Sequence, residues 1–246
     1  MKITADYHVH STYSKHNHGK STIEEIVQKA VELGLEEIAI TDHGPRHYLF
    51  GIQENKIKEA KQRVIEMRKK YPQIKILLGV EANILDYSGN TDITDEVLKH
   101  CDIILCGYHI GVLFSSPKDA LKFTVMNKIG RKNKKVYEQM KEKNTEAIVK
   151  AMNKYKINIL THPGDKIPLN TAKIAKAAEN TGTVLEINNS HSHLNAEEIK
   201  IAKNYDVKFV INSDSHIKDK IGSYEKGLKA AMDANLDLSR IINLKI

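Results

Sequence analysis

The chain has 246 residues, 28% of them charged and 41% apolar, with a formal net charge of +7. That composition suits a folded protein with one large core and excludes a disordered chain, while no apolar run approaches the roughly 18 residues needed to span a bilayer. The charge favours anionic partners in a general way, but lysines spread along helix-like segments, with no Trp and four Phe, do not by themselves indicate nucleic acid.

The first strand is predicted from about Lys2 to His10. The start lacks the apolar region of a secretion signal, so a cytoplasmic protein is expected. A polar loop runs to Lys20. Ser21-Thr22-Ile23-Glu24 then reads as a capping box, with Ser21 at the cap and Glu24 three residues on. Apolar residues at helical spacing follow, and Gly34 ends the helix. Glu37 to Thr41 is a second strand ending at Asp42-His43-Gly44-Pro45. A helix from about Gln53 to Lys70 stops at Tyr71-Pro72, and a third strand from Lys75 ends at Glu81-Ala82-Asn83. After a short helix near Asp95, Asp102 to Cys106 is the fourth strand, ending at His109. Cys101 and Cys106 are the only cysteines. They exclude a disulfide framework and a four-thiolate zinc site, and read as core thiols.

About 110 to 135 is the least regular stretch, an inserted loop or broken helix that could cover a site as a lid. A long helix reaches about Lys154. Strands follow at Ile157–Leu160, Thr183–Ile187 and Lys208–Ile211, ending at His162, Asn188 and Asp214-Ser215-His216. Helices begin near Thr171, Asn195 and Tyr224. Continuous apolar strands alternating with helices indicate a parallel sheet covered on both faces, and seven similar units with no Gly-rich first turn favour a closed α/β barrel. No linker divides it, so one domain over 1–246 is expected.

The unusual number is twelve histidines. His8 and His10 are two apart, so on an extended strand they share a face. With Asp42, His43, Glu81, His109, His162, Asp214 and His216 they stand at strand ends, and strand ends in a parallel barrel face one mouth. Imidazoles and carboxylates crowded there would repel or go unpaired unless cations joined them. The donors suit Zn, Mn or Fe, and their number suits more than one ion.

The motifs His8-Val9-His10, Ile40-Thr41-Asp42-His43-Gly44, Gly79-Val80-Glu81-Ala82-Asn83, Gly107-Tyr108-His109, Thr161-His162-Pro163-Gly164, Glu186-Ile187-Asn188-Asn189 and Asn212-Ser213-Asp214-Ser215-His216 span nearly the whole chain. In that order the sequence resembles the polymerase and histidinol phosphatase (PHP) superfamily, in its small stand-alone phosphoesterase branch. The resemblance implies a distorted (β/α)7 TIM-like barrel with three divalent metal ions, zinc first and manganese or iron as alternatives. One ion would take His8, His10, Glu81 and Asp214. A second would take His16, His43 and His216, with His18 the alternative to His16 only two residues away. The third would take His109 and His162 and share Glu81. Asp6 and Asp42 are expected to hydrogen-bond ligand imidazoles, and Glu186 and Asn188 to support the site or the core. His47 and His100 read as structural or surface residues, and His191 and His193 as loop histidines that are exposed by default, with reach to substrate as the alternative.

The expected reaction is hydrolysis of a phosphate monoester by a metal-bridging hydroxide, with no protein nucleophile. The expected partner is a small phosphorylated substrate, with no membrane and nucleic acid as the lesser option. Among the rim cations Lys15, Lys20, Arg46, Arg131, Lys132, Lys166 and Lys218, Arg46 is the first choice for a phosphate contact, and Lys15 is a second. A histidinol-phosphate phosphatase, a 3'-5' exonuclease or phosphodiesterase and a non-catalytic metal-binding module are the rivals. An amidohydrolase is disfavoured because a Glu, not a Lys, ends the third strand.

Overall fold

A computed structural model describes residues 1–246. Nine strands alternate with helices. Seven of them form one parallel sheet in sequential order: β2 (Ala5–Asp6), β3 (Glu37–His43), β4 (Lys75–Asn83), β5 (Ile103–Gly107), β6 (Ile159–Leu160), β7 (Val184–Asn188) and β8 (Phe209–Asn212). The sheet curls until its two edges meet. Val9 bridges Ser215 in parallel register, His10 N donates to Ser215 O at 2.8 Å, and Ser215 N donates to His8 O at 3.2 Å. The expected seven-stranded barrel is therefore the observed architecture.

The first strand is shorter than its sequence suggests. Regular pairing stops at Asp6, because side chains take over the ladder: Tyr7 N bonds Asn212 Oδ1 and His8 N bonds Asp6 Oδ1. A small antiparallel pair, β1 (Lys2–Ile3) with β9 (Leu244–Lys245), closes the bottom of the seam. Asn243 between them is fully buried and accepts from Ile211 N while donating to Ala5 O and Ile211 O.

Residues on one face of each strand point into the barrel. Ala39, Leu105, Ile159 and Val210 fill its lower half as an apolar plug. Above them the same faces turn polar, with Thr41, His43, Glu81 and Asn83. The other strand faces pack on the helices in a continuous apolar shell. Helix α1 (Ile23–Glu32) buries Ile23, Ile26, Val27 and Ala30, one stripe at helical spacing. Its capping box lies one residue later than expected: Thr22 is the cap and Glu25 its partner.

The irregular stretch is a broken helix rather than a loose insertion. Pro117–Ala120, a π turn over Leu121–Met126 and Asn127–Gly130 run on in series. Phe123 pins them to the barrel. It is buried, stacks on Tyr87 at 4.1 Å, and meets Phe114 and Tyr108 as well. Asn127 and Asn144 then bond each other across to the long helix Lys134–Lys154.

Asn243→Ala would strand two buried carbonyls and one amide at the seam. It should cost about 3 kcal/mol of stability, read by urea denaturation. A loss under about 1 kcal/mol would mean the seam does not depend on this side chain.

Candidate metal centre

The upper barrel gathers its polar side chains around Glu81. This carboxylate is fully buried at the end of β4. Oε1 lies 3.0 Å from His109 Nε2 and 2.9 Å from His162 Nε2. Oε2 lies 2.8 Å from His43 Nδ1, 3.3 Å from His8 Nε2 and 3.8 Å from His10 Nε2. Asp214 faces it from the other side of the seam, with Oδ1 3.3 Å from His10 Nε2 and 3.6 Å from His8 Nε2. Beyond His10 stands His216, with ring centroids 4.4 Å apart.

Local backbone geometry aims several of these groups. His162 and Asp214 sit at positive φ, 28° and 52°. Left-handed backbone is costly for residues with a Cβ, and here it turns the chain inward just past β6 and β8. Gly107 permits the close approach of β5 to β6. A Cβ there would stand 2.3 Å from Thr161 Oγ1 and 3.1 Å from the His162 ring.

Hydrogen bonds set the tautomers. His8 Nδ1 donates to Glu186 Oε1 at 2.8 Å. His109 Nδ1 donates to Asn83 Oδ1 at 2.8 Å, and Asn83 is oriented by its own bond to Asp92 Oδ2. His216 Nδ1 donates to the Asp214 carbonyl at 3.0 Å. In each ring the proton is outward, so in the neutral imidazole Nε2 presents its lone pair to the centre. Two of those lone pairs face carboxylate oxygens, and His216 Nε2 faces His18 Nε2 at 2.7 Å.

This packing needs positive charge in its middle. His8 Nε2, both His10 nitrogens, His43 Nδ1 and Glu81 Oε2 are buried with no hydrogen-bond partner, although His43 Nδ1 and Glu81 Oε2 are only 2.8 Å apart. Burial pushes His8 down, yet Asp214, Glu81 and Glu186 together lift it well above its ordinary value. Burial pushes Glu81 up, yet His109, His8 and His43 hold it well below the carboxylate range. Burial lowers His18 to about 4 and His216 to about 3, so both stay neutral and keep a nitrogen free to coordinate. Divalent cations fit this donor set. Three overlapping groups have ligand atoms within 4.8 Å of one another: His8, His10 and Glu81; His10, His43 and His216; and His43, Glu81 and His109.

Of the residues expected at the site, His8, His10, His43, Glu81, His109, His162, Asp214 and His216 come together. His16 does not. It is exposed on the loop, and His18 occupies the place expected of it, stacked on Phe50 at 3.9 Å. The loop is folded back by Asp42, whose carboxylate accepts from Ser11 N, Ser11 Oγ and Ser14 Oγ. Asp42 therefore holds a loop and not an imidazole. Asp6 likewise accepts from the backbone N–H groups of His8, Ser213 and Gly222. The carboxylate that orients a ring is Glu186, which also accepts from His162 N and the amides of Asn188 and Asn212.

The rim also departs from expectation. Arg46 turns away from the mouth and donates to the carbonyls of Leu113 and Phe114. Lys15 lines a different cavity on the outer flank, beside Lys56 and Arg63. The mouth itself, about 400 Å³, is lined by His18, His43, Glu81, His109, His162, Asp214 and His216 together with His47, Phe50, His191 and Lys166, while His8 and His10 are buried and do not line it. His47 is expected to be structural or at the surface and His191 to be an exposed loop histidine with substrate reach as the alternative, and both line the mouth. His47 stacks on His43 at 4.6 Å, and His191 Nε2 lies 3.2 Å from Asp214 Oδ2. Their strand-end neighbours His43 and Asn188 were the only hint.

A parallel barrel whose carboxyl-end mouth is lined with imidazole and carboxylate donors for divalent cations is the class that fold and site define. The chain belongs to the PHP domain family, whose profile matches residues 6–240. It is 31% identical to a protein named "Probable phosphatase" from Thermoanaerobacter sp. (strain X514), covering 100% of this chain and 92% of that one. A "Probable phosphatase" from Acetivibrio thermocellus is 30% identical, covering 100% and 93%. Among solved structures, the histidinol phosphate phosphatase of Lactococcus lactis, complexed with zinc, L-histidinol and phosphate, shares the fold. Its TM-score is 0.60 at 16% identity, covering 95% of this chain and 93% of that one.

Two substitutions probe the centre. His18→Ala should lower the divalent-metal content of the purified chain, measured by elemental analysis, while His16→Ala should leave it unchanged; the reverse pattern would restore His16 as the ligand. Glu186→Gln keeps the shape but weakens the hold on His8, and should cut zinc affinity about 10- to 100-fold in a chelator competition.

Proposed function

We propose that this chain hydrolyses the phosphate monoester of a small molecule at a centre of three divalent ions, with zinc first and manganese or iron as alternatives. The broader class, a metal-dependent phosphoric ester hydrolase, follows from the family and from full-length relatives named phosphatases. The observation that carries the proposal is the convergence of the unpartnered buried atoms His8 Nε2, His10 Nε2 and His43 Nδ1 on Glu81 Oε2, itself unpartnered, with His43 and Glu81 lining the mouth.

Bound there, divalent ions would supply Lewis acidity toward phosphoryl oxygens and lower the pKa of a water. The protein's part is positional. Glu81 would be the carboxylate that more than one ligand group has in common, since its two oxygens are faced by different imidazoles. His8, His10 and Asp214 would form one ligand group, His18, His43 and His216 a second, and His109 with His162 a third. Glu186 and Asn83 fix the rings of His8 and His109, so little reorganisation is needed on binding. Lys166 brings the one Lys or Arg charge in the lining, placed for an anionic substrate. The lining holds no Ser or Cys, consistent with direct attack by water and no covalent enzyme intermediate.

Phosphate release from p-nitrophenyl phosphate and a panel of sugar and polyol monophosphates, with zinc or manganese against a chelated control, tests this. Monoester turnover that chelation abolishes and metal restores is the expected result. Cleavage of bis(p-nitrophenyl) phosphate without monoester turnover would instead make the chain a phosphodiesterase.

A further inference from the structure

A second cavity, about 230 Å³, adjoins the mouth. The two share one lining residue, Lys166. The side cavity is walled by Arg131 and Tyr137 on one flank and by the backbone turn at Gly164 on the other. Its lining includes no Asp or Glu, and no carboxylate lies within ion-pair distance of Arg131. One guanidinium nitrogen donates to the Lys166 carbonyl at 3.5 Å, which leaves most of the five guanidinium donors free. Lys166 Nζ is 3.0 Å from Asp165 Oδ2, so its charge is partly met. Even so it reaches the metal face. It lines the mouth together with His47, His109 and His162.

The walls are held, not hanging. Arg131 directly follows the turn Asn127–Gly130, and Asn127 is buried and bonded to Phe123 O and Asn144. Lys166 is set by a turn in which Gly164 has φ 107° and Lys166 itself φ 66°. A fork of free N–H donors and an ammonium, carried on held backbone and lining a cavity that adjoins the proposed phosphate centre, is redundant for that first phosphate. It suits another anion, since Arg recognises phosphate and carboxylate in two-pronged fashion.

From this we infer that the side cavity is a subsite for a second anionic group, phosphate or carboxylate, carried on the leaving portion of the substrate and gripped by Arg131 and Lys166. The inference rests on the phosphatase reading above and narrows its substrate to phosphate monoesters with a second negative end.

The test uses linear alkyl monophosphates three to six carbons long that end in hydroxyl, carboxylate or phosphate, with the full-length metal-loaded chain. At the best length, an anionic end should raise kcat/KM about tenfold or more over the hydroxyl end, the equivalent of one charge-assisted hydrogen bond, and the gain should lie in KM. The carboxylate and phosphate arms show which anion is preferred. Arg131→Ala should erase the preference, Arg131→Lys should keep part of it, and Lys135→Ala, the same charge change outside the cavity, should keep all of it. No preference at any length would overturn the subsite. So would equal loss in Arg131→Ala and Lys135→Ala, which would mark bulk charge, or a fall in Arg131→Ala that is the same for hydroxyl and anionic ends. Absence of turnover on every compound, p-nitrophenyl phosphate included, would instead overturn the phosphatase reading and the subsite with it.

Discussion

Glu81 is fully buried among five imidazoles, and that arrangement governs the top of the barrel. A carboxylate in a dry environment costs several kcal/mol unless opposite charge and hydrogen bonds offset it. The surrounding rings offer lone pairs as readily as protons, and two of them, His8 and His109, have their outward protons already committed to Glu186 and Asn83. Positive charge at the centre resolves both problems at once. The apolar plug of Ala39, Leu105, Ile159 and Val210 beneath it closes the barrel's lower half, so the polar cluster opens only upward.

The closure of the barrel is what makes the cluster possible. His8 and His10 come from the first barrel strand's continuation and Asp214 and His216 from the last. Only the seam between them, bridged at Val9 and Ser215, brings the two pairs within 3.6 Å. Structural effort concentrates there: Asp6 gathers backbone amides from both edges, and Asn243 ties the lower end. The centre and the seam therefore stabilise each other, since ions bound across it would join the first and last strands directly.

The broken helix over 117–130 gives the mouth its asymmetry. Anchored by the Phe123 stack and the Asn127–Asn144 pair, it carries Arg131 beside Lys166 on one flank. The rim also has an aromatic part, with Phe50 against His18 and His47 against His43.

Much of this was legible in the sequence. The alternation of apolar strands and amphipathic helices specified a parallel barrel, because each period is local and each element buries one face. Strand ends were partly readable: a His or Glu that closes an apolar run in a parallel barrel stands at the shared mouth, which is why Glu81, His109 and His162 are candidates from the sequence, though the direction of His162 depends on its positive φ past β6. The loops were not. His16 and His18 differ only in how the 11–20 segment folds back, and that depends on Asp42 reaching Ser11 and Ser14 and on Gly19 packing against Ser11, where a Cβ would stand 2.3 Å from its carbonyl. Arg46 follows a metal-site motif and still turns to the Leu113 carbonyl, because a long flexible side chain takes whichever acceptors the tertiary fold brings near. The sequence by itself determined the barrel and the donors on its strands, where backbone periodicity dictates direction. Only the tertiary structure decided which loop residues join them, because their direction comes from contacts between segments far apart in the chain.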